Sequence, residues 1–224
     1  EGASYEELAS YLHLDSGLYQ NPYELMTFYD NHDMDRMDAD AQGFIDANNW
    51  LFTSRGIPVV YYGSEIGFQA GTNEHTGNRN YFGQENVEAA KSHEIHAALT
   101  RIANIRKNSI ALQRGLQVYT GFGQRSASFF RVYQKDGVTQ TALVLLNGDD
   151  EPSAMKFGQL PAQGTWRDAV TGHVVQVDAS FAGLVEEVAP HSVRVYLSDA
   201  PITDSRFLQL LDEAQAATAR RTTP

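Results

Sequence analysis

Leu25-Met26-Thr27-Phe28-Tyr29-Asp30-Asn31-His32-Asp33 is the stretch that decides the fold of this chain. Five apolar or strand-favouring residues, shortly after Pro22, give way at once to an acid, an amide, an imidazole and a second acid. The first part predicts a short buried strand. The second is poor packing material unless the strand's C-terminal end opens onto a polar cleft, where parallel α/β architectures keep their chemistry. The plainer alternative is a polar loop whose Asx side chains cap the next helix. That suffices for Asp35, Asp38 and Asp40, and stands level with the cleft for Asp30 and Asn31. For His32 and Asp33 the cleft is preferred, because a second segment repeats the pattern.

That segment is Ile57-Pro58-Val59-Val60-Tyr61-Tyr62-Gly63, a second buried strand with its proline near the start, where a missing ladder donor is tolerated. Between the two, Ala41, Phe44, Ile45, Ala47, Trp50, Leu51 and Phe52 follow one face of a helix over 38–55. Strand, helix, strand at this spacing is a βαβ unit with parallel strands. Upstream, Leu8, Tyr11 and Leu12 predict a short helix over 4–14, with Ser4 and Glu7 as a capping box. Downstream, 64–88 reads as one long, ordered, functional loop, and 93–107 as a helix.

After Asn108 the texture changes. Runs at 116–120, 128–134, 141–147, 154–157, 165–168, 173–177, 184–188 and 192–197 are separated by Gly- and Asp-rich turns, which predicts an antiparallel β-sandwich. The domains expected are therefore 1–108, 109–198, and a C-terminal helix and tail over 199–224, with the helix at 203–217.

A formal charge of -11 and a pI near 5.0 argue against a nucleic-acid backbone or an anionic membrane as partner, while a neutral glycan is indifferent to it. There is no cysteine, hence no disulfide frame, thiolate nucleophile or cysteine metal site. No run approaches the roughly 20 apolar residues of a membrane helix. The opening Glu1-Gly2-Ala3-Ser4, without Met, is expected to be cut from something longer, so it says nothing of compartment.

Thr27 to Arg36 (TFYDNHDMDR) resembles the last signature region of the α-amylase family of glycoside hydrolases, especially its bacterial α-amylase and cyclodextrin glucanotransferase branch. Thr53 to Glu65 (TSRGIPVVYYGSE) resembles that family's eighth barrel strand, and Gly77-Asn78-Arg79 falls where the family places an arginine. The resemblance implies the C-terminal part of a (β/α)₈ barrel, strands seven and eight with their helices, followed by the family's β-sandwich domain C. By the same resemblance Asp33 is the third essential carboxylate, stabilising the transition state on the sugar beside the broken bond. His32 hydrogen-bonds that sugar, Arg79 binds one further along the donor side, and Asn31 joins the substrate-binding set. A retaining glycosidase also needs a nucleophile and an acid/base. The family carries both on earlier strands, and neither is found in this chain.

The resemblance thus leads one to expect a retaining enzyme on α-1,4-glucans, of α-amylase type, whose 224-residue piece is inactive alone. The remaining barrel half is expected as a separate chain or cleaved fragment. Glucanotransferases with this arginine carry an acid four residues before it, where this chain has His75, with Glu74 beside it; cyclising transfer is the alternative. A non-catalytic glycan-binding or interaction protein is a third reading, which the joint presence of His32, Asp33 and Arg79 disfavours. No cofactor is assigned to this chain. The family's calcium belongs to the other half, and secretion or a periplasmic location follows from resemblance only. Trp50 and Trp166 are expected as core anchors rather than sugar platforms. Glu65 is expected as a structural partner, Glu186 and Glu187 as solvated charges, and the His93/His96 pair lacks the third ligand a metal needs.

Overall fold

The computed structural model describes residues 4–14, 16–69 and 78–219. Helix α1 (Tyr5–Ser10) is shorter than its apolar pattern, and Ser4 caps it by accepting from the Glu7 amide at 3.1 Å. Strand β1 (Met26–Thr27) leads through the Asp33 loop to helix α2 (Ala41–Thr53), whose N-cap is Asp40, accepting from the Gly43 amide. Strand β2 (Ile57–Pro58) then pairs with β1 in parallel, through Ile57 N–H to Leu25 O and Val59 N–H to Thr27 O, both 2.9 Å. Pro58 lies between those donors, so its missing N–H falls on the free edge. Gly56, at φ 95°, makes the turn from α2 possible, since a Cβ there would meet Thr27 Oγ1 and Leu25 O.

Both strands are only two residues long, and the expected burial is corrected. Met26 is 68% exposed and Ile57 52%; Phe28 and Val59 on the same face are exposed too. Period-two alternation explains this: α2 covers the other face, where Tyr29 packs edge-on against Phe44 and donates to Asn48 Oδ1. Among the described residues there is no closed barrel.

The stretch expected as one loop over 64–88 contains a 3₁₀ turn (Ser64–Ile66) and the start of helix α3 (Gln84–Ala90). Helix α4 (Glu94–Lys107) packs on α2, and a five-residue helix, α5 (Ile110–Arg114), leads into the sheet.

All eight expected strands form: β3 (Leu116–Phe122), β4 (Ser126–Lys135), β5 (Val138–Asn147), β6 (Ser153–Phe157), β7 (Gly164–Asp168), β8 (Val174–Val177), β9 (Leu184–Val188) and β10 (Ser192–Ser198). They do not make two comparable sheets. Six form one antiparallel sheet in the order β3-β4-β5-β10-β7-β8, faced by the two-stranded ribbon β6-β9. The β4–β5 hairpin turns on Asp136 (φ 53°) and Gly137 (φ 78°), as a two-residue turn with both central φ positive requires. Phe129, Val144 and Leu146 face α2, α4 and α5 with Trp50, Ile102 and Leu112. Phe130, Leu143 and Leu145 face the ribbon, Trp166 and helix α6 (Ser205–Ala219). The central strands are thus buried on both faces, and both tryptophans are core, as expected.

The sheet is tied to α2 by charge as well as by packing. Three buried guanidiniums gather at the C-terminal end of α2: Arg106 donates to Phe52 O and Ser54 O, Arg131 to Thr53 O at 2.7 Å, and Arg55 to Leu12 O. Arg106 and Arg131 satisfy carbonyls that the end of α2 leaves unpaired, on the side where its dipole is negative, while Arg55 reaches back to the segment after α1. Midway along α2, His191 in the β9–β10 turn bridges Asp46 (2.7 Å) and Asp150 (2.8 Å).

Candidate active site

Beyond Thr27 the chain leaves β1 with one acid turned inward and one outward. Asp30 is buried and accepts from Ser64 Oγ, 3.0 Å from each carboxylate oxygen, which links the segments following the two strands beneath the site. Burial raises its pKa, and the Ser64 hydroxyl opposes that only in part. Asp30 is therefore neither a helix cap nor a cleft ligand. Asn31 Oδ1 accepts from the Asp33 amide at 2.7 Å, an Asx turn that aims the next two side chains outward; the expected substrate ligand is engaged in the backbone.

His32 and Asp33 stand at the surface, with side chains 58% and 67% exposed and His32 Nε2 3.1 Å from Asp33 Oδ2. Arg79 Nη2 lies 2.7 Å from the other oxygen of Asp33, and Arg79 Nε donates to His32 O at 3.0 Å. Of the four residues expected at the site, His32, Asp33 and Arg79 bring their side chains together, on the side where the segments following both strands end. A carboxylate flanked by a guanidinium and an imidazole presents acceptors and donors side by side, the pattern that binds neighbouring hydroxyls of a neutral sugar.

Arg36, to which the sequence alone assigned no role, holds this arrangement from behind. It is buried, donates to Tyr62 O (2.9 Å) and Asn78 O (3.1 Å), and lies 4.8, 4.8 and 5.2 Å from the Tyr61, Tyr62 and Phe68 ring centres. Asn78 is fully buried and donates to Asn31 O and Met34 O, pinning the segment that carries Arg79 to the loop that carries Asp33. The one available sequence signal was a basic residue alone within the acidic run 30–40.

Asp168 and Asp178 serve the fold. Asp168 is buried and accepts from the Val170 and Val195 amides, and Asp178 accepts from Ser180. Glu186 is corrected: its side chain is 12% exposed, bound by Tyr196 OH and Arg194, while Glu187 is solvated. His93 serves as the N-cap of α4. Among the described residues no cluster of His, Asp or Glu is placed to hold a metal ion. Glu74 and His75 lie outside the described residues. Along β1 and α2 runs an apolar groove of about 840 Å³, lined by Tyr11, Met26, Phe28, Met34 and Trp50.

No family model matches the chain. It is 31% identical over 166 residues to an α-amylase of Streptomyces lividans, covering 60% of this chain and 18% of that protein. It is 28% identical over 189 residues to a cyclomaltodextrin glucanotransferase of Geobacillus stearothermophilus, covering 81% of this chain and 26% of that one. Among solved structures it superposes on the α-amylase of Geobacillus thermoleovorans complexed with acarbose, with TM-score 0.68 and 24% identity, over 87% of this chain and 43% of that one. The chain thus spans less than half the length of each.

Proposed function

The chain belongs to the α-amylase family, of whose members it spans a part, and on that premise we propose that it is the C-terminal portion of a retaining enzyme acting on α-1,4-glucans by α-amylase-type hydrolysis. Strands β1 and β2 are the seventh and eighth of a (β/α)₈ barrel of which 1–108 is the C-terminal segment, the sheet over 109–198 is the domain after it, and 199–224 is a helix and tail. Asp33 stabilises the transition state; His32 binds the same sugar and Arg79 one further along the donor side; Asn31 orients Asp33.

The observation that carries this reading is the convergence of Arg79 and His32 on the two oxygens of Asp33, exposed where both parallel strands lead. Hydrogen bonds from that pair to ring hydroxyls strengthen as an oxocarbenium-like transition state develops. The preceding barrel units, as a separate chain or cleaved fragment, seat along the groove beside Met26 and Phe28, whose exposed apolar faces fit such a partner. They bring the nucleophile and the acid/base. His75, in place of the acid that accompanies this arginine in glucanotransferases, favours hydrolysis over cyclising transfer.

The test is an assay of reducing-end release from starch. The 224-residue chain alone is expected to give none. Turnover by it alone overturns the assignment of the chemistry to missing strands.

A further inference from the structure

The segment Asn78–Phe82 is held down at every second residue. Asn78 O accepts from Arg36, Tyr61 OH (2.9 Å) and Tyr62 OH (3.2 Å), and Asn80 O accepts from Tyr62 OH at 2.6 Å. The Phe82 ring is fixed edge-on to Phe68 and Tyr62, with centroids 5.2 and 6.2 Å away. Burial alternates accordingly: Asn78 buried, Arg79 exposed, Asn80 half-buried, Tyr81 exposed, Phe82 half-buried. Arg79 and Tyr81 therefore share the open side of a fixed strap. Arg79 lies on Asp33, while the Tyr81 ring is 90% exposed.

We propose that Tyr81 is a substrate-binding platform that stacks against the glucose unit beyond the one bound by Arg79, which itself adjoins the unit held by Asp33 and His32. The inference rests on the glucan reading of that site. Residues two apart in an extended segment are separated by at most about 7 Å, close to the step from one pyranose to the next. A pyranose offers an apolar C–H face with hydroxyls around its rim. An aromatic face beside a small set of charged groups matches both parts of it. A tyrosine on a pinned backbone also loses little conformational freedom on binding. Tyr81 then acts on glucan length: a maltose unit at Asp33 does not reach it, and a longer chain does.

The experiment titrates the 224-residue chain with maltose and with maltoheptaose, following backbone amide shifts by NMR for wild type, Tyr81→Ala, Tyr81→Phe and Asp33→Asn. Tyr81→Ala is expected to weaken maltoheptaose about fivefold to tenfold, from the usual worth of an aromatic contact, and to leave maltose unchanged. Tyr81→Phe retains the affinity, since the face and not the hydroxyl binds. If Asp33→Asn weakens both sugars while Tyr81→Ala changes neither, the platform is overturned and the site reading stands. If neither variant alters binding, or wild type binds neither sugar, both are overturned.

Discussion

Arg79 Nη2 and Asp33 Oδ1 are 2.7 Å apart although 46 residues separate them, and the same guanidinium reaches the backbone of His32. The contact joins the loop after β1 to the loop after β2 across open solvent. Both side chains are about half exposed or more, so the pair adds little to stability.

Replacing Arg79 by Met is expected to leave the fold intact and to weaken maltooligosaccharide binding by a factor on the order of ten, about the worth of a charged hydrogen bond. Calorimetric titration beside a thermal melt checks it. Unchanged affinity, or a lost fold, would remove Arg79 from the binding set.

Asp30 gives a pH-dependent prediction. Its folded pKa is raised by burial, so the stability it permits is fully present below the unfolded value and is lost as pH rises through the folded one. Urea denaturation across that window should show wild type gaining stability over Asp30→Asn as pH falls. A parallel pair of curves would mean that the carboxyl is not strained.

His191 acts between the two parts of the chain. Burial alone would lower its pKa, but hydrogen bonds to Asp150 and Asp46 and their charges hold the imidazolium above its ordinary value. Arg125 and Asp40 also act on Asp46, whose own pKa burial raises. The sign is fixed: the histidine's contribution is complete below about 6.5 and disappears as pH rises through its folded pKa. Protection of amides in α2 against hydrogen exchange should fall on the alkaline side in wild type and lose that dependence in His191→Gln.

Arg131 is fully buried, and burial pushes its pKa down to about 9. Its hydrogen bonds go to Thr53 O and Gly115 O, with no carboxylate among them. Arg131→Met orphans those carbonyls and is expected to destabilise by about 1.5–3 kcal/mol, read from denaturant midpoints at constant slope.

The β-strands were legible because alternation, Gly turns and the Asp136-Gly137 pair are local signals. Burial of β1 and β2 was not, because apolar residues report a preference for cover and not its presence: Met26 and Ile57 are as apolar as Leu145, yet open. Helix α3, with Val87, Ala89 and Ala90 as its apolar residues, carries too weak a stripe to stand out from a loop. That His32, Asp33 and Arg79 meet could be anticipated from the likeness of their motifs to those of the α-amylase family. The hidden supports could not: Arg36 and Asn78 look like surface residues in one dimension, and only the return of the chain after β2 supplies their partners.

The most direct measurement is a crystal structure of the 224-residue chain soaked with maltoheptaose. A glucose ring within hydrogen-bond reach of Asp33 and His32, with the next ring on Arg79, is the result expected. Sugar bound elsewhere, with the Asp33–Arg79 contact undisturbed, would contradict it.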